Sequence, residues 1–180
     1  WNDPTNTDQT LMRARIRHTI LPFLQEHLGG DVALSLARTA AVAGPDAEYL
    51  DALAAAEYAR LKLPVGVHLP DIPGAHAVPG DHSTEAASEK PTPVVIALNR
   101  AETAALHPAL RMRVLALATR AAQGENPGFE RLQALDEFVA EHATAGPVQL
   151  PGHVSAYRRR RVQDPRTGTR VDALVLISQR

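Results

Sequence analysis

Residues 148–178, VQLPGHVSAYRRRRVQDPRTGTRVDALVLIS, are where the chain changes from a helical to an extended period. Val148 and Leu150 alternate, Pro151-Gly152 signals a turn, and Val154, Ala156 and Arg158 alternate again with Tyr157 on the opposite face. Asp164-Pro165-Arg166-Thr167-Gly168 signals a second turn. Beyond it Val171, Ala173, Val175 and Ile177 alternate with Asp172, Leu174 and Leu176. The pattern predicts a small antiparallel sheet. The last strand is apolar on both faces at its centre, which predicts cover on both sides, by helices of this chain or by a further domain. Arg158, Arg159, Arg160 and Arg161 cannot all face a core, so at least two are expected in solvent. With Arg166 and Arg170 they form the densest positive cluster of the sequence.

Upstream of that hairpin the period is helical. Asn126-Pro127 opens a predicted helix with Leu132, Leu135, Phe138 and Val139 inward and an acidic outer face of Glu130, Asp136, Glu137 and Glu141. Pro108 suits the first turn of an earlier helix whose inward stripe is Leu110, Val114, Leu117 and Ala121, closed by Gly124, with Arg111, Arg113 and Arg120 off the stripe. Asn99 and Glu102 have capping-box spacing for a brief helix to Leu106. The run Val94-Val95-Ile96 before it is either extended or leads straight into that helix.

The N-terminal stretch WNDPTNTDQTLMRARIRHTILPFL (1–24) reads as an Asp3-Pro4 turn, a cap at Asn6, Thr7 or Asp8, and a helix. Met12, Ile16, Ile20, Phe23 and Leu24 fall at three- and four-residue spacing, which predicts one buried face. Arg13 and Arg17 flank that face, while Arg15 and His18 point away from it. Pro22 removes the bond to the carbonyl of His18 and predicts a kink, and Gly29-Gly30 ends the helix. Asp31 is the expected cap of the next helix, through Val32, Leu34, Leu36, Ala37, Ala40 and Ala41 to Gly44-Pro45. A third helix, or a kinked continuation, runs to Leu61 with Ala47, Leu50, Leu53, Ala54 and Leu61 inward.

Prolines and glycines from Pro64 to Pro93 leave no period and predict a long loop. It carries His68, Asp71, His76, Asp81 and His82, which are metal-ligand types, but without helical H-x-x-x-H spacing they read as solvated loop residues, and no metal site is assigned. The chain of 180 residues has a net charge of −1, so contact with nucleic acid has to be local. Aromatics are only 4%, which favours helices over a sheet sandwich, and the absence of cysteine removes disulfides and thiolate chemistry and fits a cytoplasmic location. No apolar run approaches the ~20 residues that span a bilayer. The expected class is therefore mainly α, a helical bundle followed by a small antiparallel hairpin or sheet.

The N-terminal stretch resembles the end of the catalytic domain of bacterial tRNA(Ile)-lysidine synthetases. Trp1, Asp3, Pro4, Thr5, Asn6, Asp8, Arg13, Ile16, Arg17, Leu21, Pro22 and Leu24 match that family's motif, and Ala14 stands where it usually has Asn. LGGDVALSLARTA, HPALRMRVLALATRAA and GPVQLPGHVSAYRRRR resemble its later helices and hairpin. The resemblance, which leaves out the Pro/Gly-rich loop 64–93, implies residues 1–28 as the close of the catalytic domain, 29–63 as a helical linker and 94–180 as a tRNA-binding region. It implies an ATP-dependent ligase that converts the wobble cytidine of a CAU-anticodon tRNA(Ile) to lysidine with L-lysine. ATP and Mg would lie on a preceding domain, since no S-G-G-x-D-S loop occurs in these residues. Asp3, Asn6, Arg13 and Arg17 would shape the rim of the cleft. Arg15, Arg111, Arg113, Arg158, Arg159, Arg160 and Arg161 would touch tRNA. No catalytic residue is carried over, this portion alone is expected to be inactive, and a homodimer is compatible with the sequence. A non-catalytic interaction module, or a metal-dependent hydrolase using the histidine loop, are the alternatives.

Overall fold

The computed structural model of the chain describes residues 10–64, 93–140 and 146–179. Asp3, Asn6 and the other expected N-terminal turn and cap residues lie outside them, as do His68, Asp71, His76, Asp81 and His82. The chain divides into two compact units, Trp1–Tyr49 and Leu50–Arg180.

The first unit is helical. It comprises α1 (Met12–Arg15), a π-helical turn (Ile16–Ile20), α2 (Leu21–Leu28) and the start of α3 (Val32–Leu61). The widened turn sits directly ahead of Pro22, whose ring nitrogen cannot bond the His18 carbonyl. The Leu21 N–H reaches back five residues to the Ile16 carbonyl instead, so the expected kink takes the form of a π turn. Gly29 and Gly30, at φ +69° and +73°, end α2. Asp31 then caps α3, its Oδ1 accepting the Leu34 N–H at 2.9 Å.

Of the two readings left open after Gly44-Pro45, a third helix or a continuation of the second, the structure has the continuation: α3 runs on as one helix to Leu61. The proline costs one hydrogen bond, and the alanine-rich turns on both sides have the propensity to carry the helix across it. The face predicted to be buried is exposed: Met12 is 62% accessible, Ile16 40%, Ile20 41% and Phe23 56%. Among the described residues 10–49 only Ala14 is buried. Periodicity marks an amphipathic helix without supplying the surface it packs on.

The second unit contains the sheet. Strands β1 (Val95–Asn99), β2 (Val148–Leu150), β3 (Val154–Gln163) and β4 (Arg170–Ser178) pair antiparallel in the order β1-β4-β3-β2. The expected hairpin is thus β3–β4, and the ambiguous apolar run before Asn99 is an edge strand, Leu98 opposite Leu174. The chain after α3 closes that edge, the Leu63 N–H bonding the Ala97 carbonyl at 2.8 Å. Helices α4 (Arg100–Ala105), α5 (Pro108–Ala121) and α6 (Phe129–Val139), with the C-terminal end of α3, cover one face. Leu61, Leu98, Leu115, Leu135, Leu174 and Leu176 are fully buried, each such side chain stabilising the fold by roughly 1.5–3 kcal/mol. On the opposite face Leu63, Ala97, Val162, Ala173, Val175 and Ile177 form a second cluster, so β4 is covered on both sides as its sequence predicts.

Local chemistry sets the helix ends. The Asn99 side chain accepts the Glu102 N–H at 3.2 Å, but Glu102 accepts from the Asn99 amide side chain at 2.6 Å and not from the backbone. His107 caps α5 ahead of Pro108. The buried stripe of α5 is Val114, Leu115, Ala118 and Thr119, rotated from the predicted one; Leu110, Leu117 and Ala121 are half-buried. Helix α6 starts at Phe129, later than Asn126-Pro127 implies. Gly124 and Gly152 meet where the end of α5 touches the β2–β3 turn. A Cβ on Gly152, at φ +77°, would stand 2.6 Å from the Glu125 nitrogen.

Candidate nucleic-acid interface

The four consecutive arginines of β3 are sorted by one irregularity. Arg159 pairs with Ala173 and Val162 with Val171, so Arg160 and Arg161 together oppose Asp172 in a β-bulge. Arg161 is left-handed at φ +56°, and its backbone N–H donates to the Asp172 carboxylate at 3.3 Å. The bulge lets Val162 return to the core face while both intervening side chains go to solvent.

The flanking arginines are built into the fold. The Arg158 guanidinium lies 4.5 Å from the Phe138 ring centroid, and its Nε donates to the Phe138 carbonyl at 2.6 Å. Arg159 lies 5.5 Å from the Tyr157 ring centroid on the other face. Arg160 and Arg161 are exposed and make no ion pair with a described acidic residue, and Arg170 at the start of β4 adds a third such cation. Asp172 is already engaged by the Arg161 N–H and, at 3.6 Å, by Arg100.

Arg166 in the β3–β4 turn is held against Asp164. Its Nε and terminal nitrogen each stand 3.2 Å from the carboxylate, and its backbone N–H donates at 2.9 Å. The Arg166 side chain first, then its backbone N–H, hold the Asp164 carboxyl below the usual carboxylate range.

The helical arginines divide in the same way. Arg111 makes a two-point pair with Asp136, at 2.5 and 2.9 Å, and donates to the carbonyls of Ala104 and Leu106, each at 3.0 Å. It ties α4, α5 and α6 together, and at 14% side-chain exposure it offers little to a ligand. Arg113 pairs with Asp51 at 2.8 Å, in a cleft of 340 Å³ also lined by Arg120 and Asn126. In the first unit Arg13, Arg15 and Arg17 are exposed; Arg15 donates to the Met12 sulfur at 3.8 Å, and none of the three pairs with a described acid.

Arginines in this state suit a polyanion. A guanidinium meets phosphate oxygens bidentately and stacks on exposed bases, and an arginine without a carboxylate partner loses no internal pair in doing so. Arg170 belongs to the positive cluster visible in the sequence, and the antiparallel pairing of β3 with β4 sets it opposite Gln163; Arg120 lines the separate cleft with Arg113. Among the described residues no three His, Asp or Glu side chains converge on a metal position.

Residues 98–163, from the end of β1 through β3, match the family model described as the TilS substrate binding domain. The chain is 32% identical over 181 residues to the tRNA(Ile)-lysidine synthase of Thermobifida fusca, covering 99% of this chain and 43% of that protein. It is 30% identical to the enzyme of Leifsonia xyli over 84% of this chain and 38% of the relative. A shorter stretch, 54 residues or 30% of the chain, is 54% identical to the synthase of Mycolicibacterium paratuberculosis, covering 17% of it. The chain thus spans less than half the length of these relatives. A sheet and helices that carry the substrate-binding-domain match, with similarity reaching nearly the whole chain, make this protein a relative of the tRNA(Ile)-lysidine synthetases.

Proposed function

We propose that this chain is the tRNA-gripping part of an ATP-dependent ligase that converts the wobble cytidine of a CAU-anticodon tRNA(Ile) to lysidine with L-lysine. In that reaction ATP activates the cytidine C2 oxygen as a leaving group, the lysine amine displaces AMP, and the product base pairs with A in place of G. No S-G-G-x-D-S loop occurs in this sequence, and the ATP and Mg chemistry is assigned to another part of the enzyme. The contribution of this chain is electrostatic and positional. Arg160, Arg161 and Arg170 bind phosphates of the tRNA body, and Arg13 and Arg17 face the polyanion near the reacting loop.

The observation that carries this reading is the bulge. It puts two neighbouring arginines in solvent within the residues that match the substrate-binding domain. The test is binding of the chain to tRNA(Ile) with a CAU anticodon and to elongator tRNA(Met) with the same anticodon, at two salt concentrations. Arg160→Ala with Arg161→Ala is expected to weaken binding and to reduce the salt slope by about one unit per lost phosphate contact. Affinity and slope unchanged in the double variant would overturn the assignment. Preference for tRNA(Ile) would show that this part reads the tRNA body.

A further inference from the structure

Asp172 is an acid set opposite the densest cationic stretch of the chain, and by charge alone it would oppose a polyanion there. Both of its carboxylate oxygens are engaged within the fold. Oδ1 accepts the backbone N–H of Arg161 at 3.3 Å, and Oδ2 stands 3.6 Å from the Arg100 guanidinium. The Arg100 side chain is only 11% exposed and donates to the Val139 carbonyl at 2.9 Å. A run of contacts thus leads from the end of α6 through Arg100 of α4 and Asp172 of β4 to the bulge of β3.

The bulge needs that support. Two residues of β3 face one of β4, so the ladder leaves an extra backbone group without a strand partner. Arg161 is also left-handed at φ +56°, a conformation that a non-glycine residue keeps only where its surroundings fix it. Asp172 answers both demands through the Arg161 N–H. With Oδ2 facing Arg100, neither oxygen is left to draw the Arg160 or Arg161 side chain into an internal pair. We propose that Asp172 is a positioning residue for the polyanion. It holds the bulge in the conformation that sends the neighbouring guanidinia of Arg160 and Arg161 to solvent together, so that both meet phosphates of one nucleic acid. The carboxylate favours binding although its own charge opposes it.

This inference rests on the tRNA reading above. The test is the affinity of the chain for CAU-anticodon tRNA(Ile) at two salt concentrations, each variant being read at a temperature where circular dichroism shows it folded. Asp172→Asn keeps an oxygen for the Arg161 N–H and removes the charge, and it is expected to bind as tightly as the unmodified chain or tighter, with the same salt slope. Asp172→Ala removes the acceptor as well. It is expected to bind several-fold more weakly, with a salt slope lower by about one for the lost phosphate contact. Asp172→Glu keeps the charge but carries the acceptor one methylene away from the N–H, and is expected to weaken binding in the same way; it decides the matter if Asp172→Ala does not fold. Charge alone predicts the opposite order, with Asn and Ala tightening binding alike and Glu leaving it unchanged, and that order would overturn the inference. Weaker binding by Arg160→Ala with Arg161→Ala, but not by Asp172→Ala or Asp172→Glu, would overturn this inference alone. No effect in any of them would overturn the tRNA reading with it.

Discussion

Segments 10–49 and 93–179 are both apolar at regular spacing, yet one has almost no interior and the other has two clusters of buried side chains. In the first, Met12, Ile16, Ile20 and Phe23 stand at helical spacing and remain 40–62% exposed. In the second, Leu98, Leu115, Leu135 and Leu174 vanish from solvent, because strands and helices of one chain close over them. Amphipathic spacing states that a face exists. Only a second surface decides whether it contributes to stability.

The largest expected effect tests that contrast directly. Leu174→Ala, between β1 and β3 and under the helices, should cost about 3–4 kcal/mol in urea unfolding. Ile16→Ala should cost less than about 1 kcal/mol in the same chain. Equal costs would mean that the α1–α2 face is covered after all.

Next in size is the contrast between arginines. Arg111→Ala leaves Asp136 and the carbonyls of Ala104 and Leu106 without their donor and should cost about 2 kcal/mol. Arg17→Ala should stay within about 0.5 kcal/mol in stability and act only on tRNA affinity. A large stability loss for Arg17→Ala, or a small one for Arg111→Ala, would exchange the roles given to the two residues.

A smaller effect separates stability from binding at one residue. Arg161 is a non-glycine residue at φ +56°, so Arg161→Gly should leave the melting temperature unchanged or raise stability by about 0.5 kcal/mol. The same variant should bind tRNA more weakly. Loss of both would show that the Arg161 side chain supports the bulge.

The smallest effect concerns acid. Because Asp164 titrates below its ordinary value, the stability it contributes is fully present above the unfolded carboxylate value of about 3.9 and is lost as pH falls through the lower folded one. Asp164→Asn should flatten the acid limb of the melting profile of the second unit and leave segment 10–49 unaffected. An unchanged acid limb would detach the turn from the pH response.

Much of the second unit was legible beforehand. The two turns, the alternation of β3 and β4, the double cover on β4, the Asn99 cap and Pro108 at the head of α5 follow from side-chain period and backbone chemistry acting over a few residues. The place of β1 beside β4 was not legible, since a short apolar run serves equally as a strand or a helix entry and about seventy residues separate it from its partner. The sequence left α3 open between two helices and one continuous helix, because Gly44-Pro45 is a local stop signal that the surrounding helix overrides.

For the candidate site the division has the same cause. The sequence alone determined that four arginines stand in a row and that no core takes all of them. Which two are spent inside the fold was decided by the Phe138 and Tyr157 rings beside β3. Which two side chains stand in solvent was decided by the single extra residue of the bulge opposite Asp172. Period and turn chemistry are local and readable along the chain. Strand register and the partner of each guanidinium depend on residues distant in sequence, and only the folded chain brings them together.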